Sequence, residues 1–175
     1  MSVVRSSATV NPNQDQTVIF YHADCLDGFM AAFTLWLDFR DEAEYYPVQY
    51  GQPPPNVTGK VVYLLDFSYP KAQLMQMISQ AKSFIIIDHH DTAIKDLEGI
   101  PKMNKIFDQK ECAATLVWKY QHSNTGGPMP LVYRYIRARD LWTDDMPHRD
   151  EFAAAFSLVI RNQSDGEYNF KLAEK

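Results

Sequence analysis

Apolar residues along the chain form two kinds of run: short, nearly continuous stretches of β-branched and aromatic residues, and longer stretches of helical length. Runs of the first kind are typical of strands that are buried on both faces. They predict strands over residues 17–21, 44–50, 60–65, 84–87 and 106–107. Runs of the second kind predict helices over residues 28–39, 70–82, 112–122, 130–139 and 150–160. Strands and helices therefore alternate through most of the chain.

This alternation predicts an α/β fold: a doubly wound, mainly parallel sheet with helices on both faces. We expect that domain to span residues 17–161. Residues 1–16 are rich in Ser, Asn and Gln and predict a flexible N-terminal arm. Residues 162–175 are predicted as a tail, compatible with the start of a linker to a further C-terminal domain.

Composition narrows the class of protein. The 175 residues are 46% hydrophobic and 22% charged, which is ordinary for one globular domain. No apolar run approaches the roughly 18–20 residues of a membrane-spanning helix, and residues 1–16 lack the apolar region of a signal peptide. Two cysteines are too few for a disulfide framework. We therefore expect a cytoplasmic protein without membrane contact. Its net charge of −5 argues against a protein that binds along long nucleic acids, since such proteins are normally basic.

Three of the predicted strands end in residues of the kind that bind metals. His22 follows the first strand, Asp66 follows the strand 60–65, and the triplet 88–90 (Asp-His-His) follows the strand 84–87. Parallel strands would bring these ends to one edge of the sheet, where open α/β sheets bind ligands. With the next loop included, the candidates are His22, Asp24, Asp27, Asp66, Asp88, His89 and His90.

So many carboxylates in one place need cations, because like charges at close range repel. Oxygen and imidazole ligands favour Mn²⁺, with Mg²⁺ as the alternative. Two such ions about 3.5–4 Å apart would activate a water molecule and hold both oxygens of an in-line displacement at phosphorus.

The same residues resemble a known family. The segment HADCLDG (22–28), the strand-terminal Asp66 and the triplet DHH (88–90) are similar to the first three motifs of the DHH phosphoesterases. This superfamily includes RecJ-type exonucleases, nanoRNA and cyclic-dinucleotide hydrolases and family II pyrophosphatases. The segment YIRARDLW (135–142), which contains Asp140, resembles the fourth motif, so the resemblance covers about residues 17–160.

The resemblance implies roles for these residues. His22 and Asp24 would hold one Mn²⁺, and Asp66 would bridge both ions. The second ion would be held by Asp27, His89 and Asp140, while Asp88 stays in the candidate ligand set. His90 would be catalytic: it would face the substrate phosphate and assist the leaving group.

One position departs from the commoner family pattern, Asp-x-Asp-Gly. Here the segment reads Cys25-Leu-Asp27-Gly28, so a cysteine stands where the first carboxylate usually falls. Either Asp24 reaches the metal from one place earlier, which we favour, or the first site is weakened. A thiolate ligand at Cys25 is a third alternative, which would move the metal preference towards Zn²⁺.

The expected function is Mn²⁺-dependent hydrolysis of a phosphoester or phosphoanhydride: a short oligonucleotide, a nucleotide phosphate or polyphosphate. The candidate substrate-binding residues are Arg137, Arg139 and Thr115. The partner would be a small phosphate compound or short single-stranded nucleic acid, and a homodimer is compatible with the sequence. Most family members carry a further substrate-binding domain, for which 175 residues leave no room, so low activity is expected. The alternative is a non-catalytic DHH-like domain for binding or assembly.

Overall fold

The computed structural model describes residues 16–123 and 126–175. In it, five strands form one sheet in the order β2-β1-β3-β4-β5, and every neighbouring pair is parallel. The strands are β1 (Thr17–His22), β2 (Ala43–Val48), β3 (Val61–Leu65), β4 (Ser83–Asp88) and β5 (Lys105–Phe107).

Helices account for most of the other described residues. The α-helices are α1 (Leu26–Phe39), α2 (Lys71–Gln80), α3 (Ala93–Leu97), α4 (Ala113–Gln121), α5 (Leu131–Asp140), α6 (Arg149–Val159) and α7 (Phe170–Ala173). Two short 3-10 helices cover Arg40–Glu42 and Lys102–Asn104.

The chain reverses its direction of winding at β1. It passes from β1 through α1 to β2 at one edge of the sheet, and then crosses back to form β3 on the other side of β1. The crevice between the carboxyl ends of β1 and β3 is therefore a topological switch point, where doubly wound sheets bind their ligands.

Helices cover both faces of the sheet, because its residues alternate between two cores. On one face, Val18 and Phe20 of β1 pack with Leu74 of α2. On the other face, Ile19 packs with Leu35 of α1. Helix α3 lies on the first face and α4 on the second. The predicted α/β fold with a parallel, doubly wound sheet is confirmed.

Helix α1 is buried almost all round, since it lies between the sheet and a third core cluster. Ten consecutive residues, from position 27 to position 36, are buried. Phe29 and Trp36 face the outer cluster, where they stack on Phe170 of α7 at ring-centroid distances of 5.0 and 5.7 Å. The segment predicted as a tail thus packs on the domain. Whether it also leads to a further domain stays a prediction.

The stretch between β4 and β5 differs from the sequence prediction. Helix α3 lies in a stretch where no helix was predicted, since five residues are too few to show a helical period. The predicted flexible arm lies, except for residue 16, outside the described residues. Within the part of the chain that is described, no helix is both long and apolar enough to cross a bilayer.

Candidate metal centre

Chemistry-bearing residues follow three neighbouring strands at the switch point. His22 is the last residue of β1, Asp66 directly follows β3, and Asp88 ends β4 and leads into His89 and His90. The sheet order places β1, β3 and β4 side by side, so these residues share one edge. The expectation that the strand ends meet at one edge is confirmed.

Asp66 lies at the middle of this edge. Its side chain is 1% exposed, and neither carboxylate oxygen has a hydrogen-bond partner among the described residues. His22 Nδ1 lies 3.6 Å from Oδ2, and His89 Nε2 lies 3.3 Å from Oδ1. Both of these nitrogens are themselves buried without a hydrogen bond. Four polar atoms therefore converge without a hydrogen bond among the described residues, and a buried polar atom left without any partner would cost about 1–3 kcal/mol.

The backbone at Asp66 has a positive φ of 55°, which is uncommon for any residue except glycine. Aspartate tolerates this left-handed region better than most residues, yet the conformation still carries strain. The amide of Asp66 stays bonded to Ile87 O of β4 at 2.9 Å. The sheet hydrogen bonding thus extends to the point where the chain turns and presents the carboxylate.

His89 lies among three carboxylates. Its Nε2 is 3.3 Å from Asp66 Oδ1, 3.3 Å from Asp140 Oδ2 and 3.6 Å from Asp27 Oδ2. Burial alone would lower the pKa of His89, but the adjacent Asp66 and the charges of Asp27 and Asp140 outweigh it and raise this pKa to about 9. Without a cation, a proton on His89 therefore supplies the positive charge that the carboxylates require.

The carboxylates respond to the same environment in different ways. Burial, together with the charges of Asp66 and Asp140, raises the pKa of Asp27 well above its usual value. Burial also raises the pKa of Asp140. At Asp66 burial acts in the same direction, but the His22 and His89 imidazoles outweigh it and lower the pKa to about 2. Asp66 is thus the carboxylate that stays ionised between the two imidazoles.

Asp27 joins α1 to the start of α4. Its carboxylate accepts hydrogen bonds from the amides of Ala113 (2.6 Å) and Ala114 (2.8 Å). These two amides lie at the N-terminus of α4, where the backbone has no partner within the helix. Asp140 is the last residue of α5 and reaches His89 from the opposite side. Residues far apart in sequence are therefore held together by helix packing.

The ligand-type atoms form three groups, of which two together suit a pair of cations. In each group, the atoms lie within 4.8 Å of one another. The first group is His22, Cys25 and Asp66, and the second is Asp27, His89 and Asp140. Because Asp66 Oδ1 also lies 3.3 Å from His89 Nε2, Asp66 is placed to serve both. The unsatisfied buried atoms and this donor set fit two divalent ions.

Asp24 does not join either group. Its side chain is exposed, and its Oδ2 accepts a hydrogen bond from Gln49 Nε2 at 3.1 Å. Cys25, which is partly buried, lies with His22 and Asp66 instead. The structure thus places Cys25, and not Asp24, with the first group, while a metal-ligand role for Asp24 stays a prediction. The physical reason is the left-handed turn at Asp24 (φ 54°), after which the next residue, Cys25, lies at the site.

Asp88 belongs to a third group with Asp66, His89 and His90, but its oxygens already have partners. Oδ2 accepts from Ser68 Oγ (2.9 Å), and Oδ1 accepts from the amides of His89 (2.7 Å) and His90 (3.2 Å). Oδ1 also lies 2.8 Å from His90 Nδ1. In this structure the fully buried Asp88 carboxylate orients His90 and holds the turn after β4. Its assignment as a metal ligand stays a prediction.

The predicted substrate-binding residues have different surroundings. Thr115 is fully buried and bonded to Glu111 Oε2 (2.8 Å) and Cys112 O (2.9 Å), so it is not available to a substrate. Arg137 is held by Asp145 Oδ2 at 2.9 Å and by Glu111. Arg139 lines the same pocket as Asp27 and Asp140. Its guanidinium pairs with Asp150 at 3.1 Å.

A pocket of about 510 Å³ opens at one side of the candidate metal centre. Its wall includes Cys25, Asp27 and Asp140 as well as Arg139 and Trp142. Trp142 is 65% exposed, and the Arg139 guanidinium lies 4.2 Å from its ring centroid. Neither Trp142 nor Ser68 could be identified from the sequence, because nothing in the local pattern distinguishes an exposed tryptophan or an orienting hydroxyl.

Gly28 lets α1 approach the strand ends. A Cβ atom at this position would lie 2.6 Å from His22 O and 3.1 Å from Asp66 Oδ2. We therefore expect Gly28→Ala to push α1 away from the first site, to lower the free energy of unfolding by about 1–3 kcal/mol and to weaken metal binding. Chemical denaturation and metal titration would measure both. Gly127→Ala, where a Cβ meets nothing within 4 Å, is the control and should change stability by less than about 0.5 kcal/mol. Equal effects of the two substitutions would contradict the close approach.

Metal binding is expected to strengthen as pH rises. The folded-state pKa of His89 is raised from 6.5 to about 9, so its proton stabilises the metal-free protein below pH 6.5, and this contribution is lost as pH rises through 9. A metal ion must displace that proton, so metal affinity should rise by up to about tenfold per pH unit in this interval. The measurement is anaerobic Mn²⁺ titration together with melting curves with and without the metal.

The exposed His148 provides the control for this pH dependence. His148→Asn should keep the same slope, since asparagine tolerates the left-handed backbone at this position (φ 54°). A metal affinity that is independent of pH between 6.5 and 9 would mean that no imidazole proton is displaced.

The chain is similar to proteins that are themselves uncharacterized. No protein-family model matches the chain. It is 32% identical over 179 residues to an uncharacterized protein of Acanthamoeba polyphaga mimivirus, a match over 93% of the chain that spans 40% of the length of that relative. A crystal structure of an uncharacterized protein from Helicobacter pylori is similar over 82% of the chain and 48% of that protein, with a TM-score of 0.62 and 14% identity. The latter likeness concerns the fold alone.

Proposed function

We propose that the chain is a divalent-metal-dependent phosphohydrolase domain of the DHH phosphoesterase type. The observation that carries the proposal is the group of unpaired buried atoms around Asp66, since two carboxylate oxygens and the nitrogens of His22 and His89 converge without hydrogen bonds. A stable protein does not leave such atoms unsatisfied without a reason, and a cation at this point satisfies all of them. The motif resemblance described above supports the same interpretation.

The residues fit two divalent ions. For the group that has only carboxylate and imidazole ligands, Asp27, His89 and Asp140, we propose Mn²⁺, with Mg²⁺ as the alternative. His22 and Asp66 would hold the other ion, beside Cys25, and Asp66 would be shared. When bound, the two ions supply an activated water and positive charge for the phosphoryl oxygens. Perturbed carboxylate and imidazole pKa values in a cleft are typical of catalytic sites.

His90 is the proposed proton donor. Its Nδ1 is held 2.8 Å from Asp88 Oδ1, and Asp88 is fixed in turn by Ser68. The hydrogen bond to Asp88, together with the charge of Asp66, raises the pKa of His90, so the imidazolium form is favoured. With a side chain that is 37% exposed, His90 is accessible to a leaving-group oxygen, to which it donates a proton.

The pocket defines the class of substrate only broadly. Arg139 offers the positive charge in its wall, while Trp142 offers an exposed aromatic face beside it. A phosphoester or phosphoanhydride of small size fits this arrangement: a short oligonucleotide, a nucleotide phosphate or polyphosphate. The negative net charge of −5 and the acidic residues of the pocket disfavour a long duplex.

The alternative is a metal-binding DHH-like domain that acts in binding or assembly without catalysis. The chain spans 40% of the length of the viral relative that it matches. The two proposals differ in turnover and agree in metal binding.

The test uses the 175-residue chain with Mn²⁺, and compares phosphate release from polyphosphate with nitrophenol release from a generic phosphodiester. We expect Mn²⁺ to stabilise the fold by about 2.7 kcal/mol at a hundredfold excess over Kd, and EDTA to reverse this effect. Hydrolysis that depends on Mn²⁺ supports the phosphohydrolase. Metal binding without hydrolysis of either substrate supports the assembly alternative, and the absence of metal binding overturns both.

A further inference from the structure

The first metal group, His22, Cys25 and Asp66, contains a sulfur atom. Mn²⁺ prefers nitrogen and oxygen ligands, so this sulfur does not suit it. Cys25 Sγ lies within 4.8 Å of the ligand atoms of His22 and Asp66, and Asp66 is almost completely buried with neither oxygen in a hydrogen bond among the described residues. The cysteine therefore does not stand alone: an unsatisfied buried carboxylate points to the same space. The second group, in contrast, contains only carboxylates and an imidazole.

We propose that Cys25 is a thiolate ligand of the first site, and that this site selects Zn²⁺ over Mn²⁺ and Mg²⁺, whereas the second site keeps the preference for Mn²⁺. The inference rests on the two metal sites of the proposed function. It adds that the two sites bind different metals. One nitrogen, one sulfur and one carboxylate oxygen from the protein leave a fourth position open, which is the ligand pattern of catalytic zinc sites.

The chemistry of the donors supports this assignment. Thiolates are soft ligands that favour Zn²⁺, while carboxylates and water favour Mn²⁺ and Mg²⁺. On binding, the sulfur–metal bond forms as the thiol proton leaves to solvent, and no redox change is involved.

The neighbouring carboxylate, Asp24, lines the same pocket but belongs to none of the metal groups. Asp24 is exposed and bonded to Gln49 Nε2, and the turn at its positive φ of 54° leads the chain to Cys25. The second cysteine, Cys112, is fully buried at the start of α4 and belongs to neither metal group. Cys112 therefore provides a matched control for the sulfur chemistry.

Cobalt is the probe for the sulfur ligand, because Co²⁺ bound to a thiolate shows a sulfur-to-metal charge-transfer band in the near ultraviolet. We expect this band in the wild-type chain loaded with Co²⁺, its loss in Cys25→Ser, and its retention in Cys112→Ser and Asp24→Asn. Zn²⁺ affinity of the first site in Cys25→Ser should fall by at least the roughly 10–100-fold that an altered outer-shell contact costs a metal site. Cys25→Asp should restore binding with a preference for Mn²⁺.

The outcomes separate this inference from the proposed function. If wild-type protein binds two Co²⁺ ions without the band, or if Asp24→Asn removes a metal and Cys25→Ser does not, Cys25 is not a ligand, while the phosphohydrolase proposal stands. If the band appears but no substrate is hydrolysed with Zn²⁺ and Mn²⁺ together, the thiolate site stands and the proposed function fails. The wild-type spectrum decides the matter even if a variant fails to fold.

Discussion

Asp66→Asn is expected to abolish binding of both metal ions and, with it, all metal-dependent hydrolysis. Asp66 is close to the imidazoles of both metal groups, and it provides two buried oxygens that have no other partner. Asparagine replaces one oxygen with an amide nitrogen, which cannot bind a cation, and removes the negative charge. Because asparagine tolerates a positive φ almost as well as aspartate, the turn after β3 should persist.

Elemental analysis after dialysis and melting curves with Mn²⁺ would measure this effect. The expected result is fewer than one bound metal per chain and no metal-induced rise in Tm, while circular dichroism shows the same helix content. Asp24→Asn is the matched control, since it makes the same change at an exposed position only two residues from His22, and it should retain both metals. An Asp66→Asn protein that keeps one metal would show that Asp66 serves a single site.

Substitution of the two adjacent histidines is expected to separate metal binding from catalysis. His89 Nε2 lies among Asp27, Asp66 and Asp140, so His89→Ala should lose the metal of the second site. His90 is fixed by Asp88 instead, so His90→Ala should keep both metals. Turnover should nevertheless fall by about 10²–10⁴-fold in His90→Ala, the usual contribution of a general acid.

Metal content and kcat should be measured on the same samples of both variants. The pair is its own control, because each substitution removes one imidazole from the same turn after β4. Loss of a metal in His90→Ala but not in His89→Ala would reverse the two assignments. Turnover unchanged in His90→Ala would leave the proposed proton donor without a role.

The sequence alone determined the fold and most of the residues at the centre. Unbroken apolar strands such as 60–65 and 84–87 need cover on both faces, and the connections between them are long enough for crossover helices, which together predict a parallel doubly wound sheet. In such a sheet the strand ends lie at one edge, so Asp66 and His89 could be expected together before any coordinates were known.

Tertiary structure decided which of the neighbouring candidates face the centre. Asp24 and Cys25 are adjacent in sequence, and a single left-handed turn determines that Cys25 and not Asp24 lies beside His22. The partners of Asp88, above all Ser68 twenty residues earlier, satisfy its oxygens and make it an orienting group.

The positions of residues that come from distant helices were also decided by the tertiary structure. Asp27 meets the amides of Ala113 and Ala114 only because α1 packs against α4, and Thr115 becomes fully buried only in the folded chain. A linear pattern records the order of hydrophobic and polar residues, and this order determines which elements form. Which side chain turns inward at their ends depends on backbone dihedrals and on hydrogen bonds between elements, and these exist only in the folded chain.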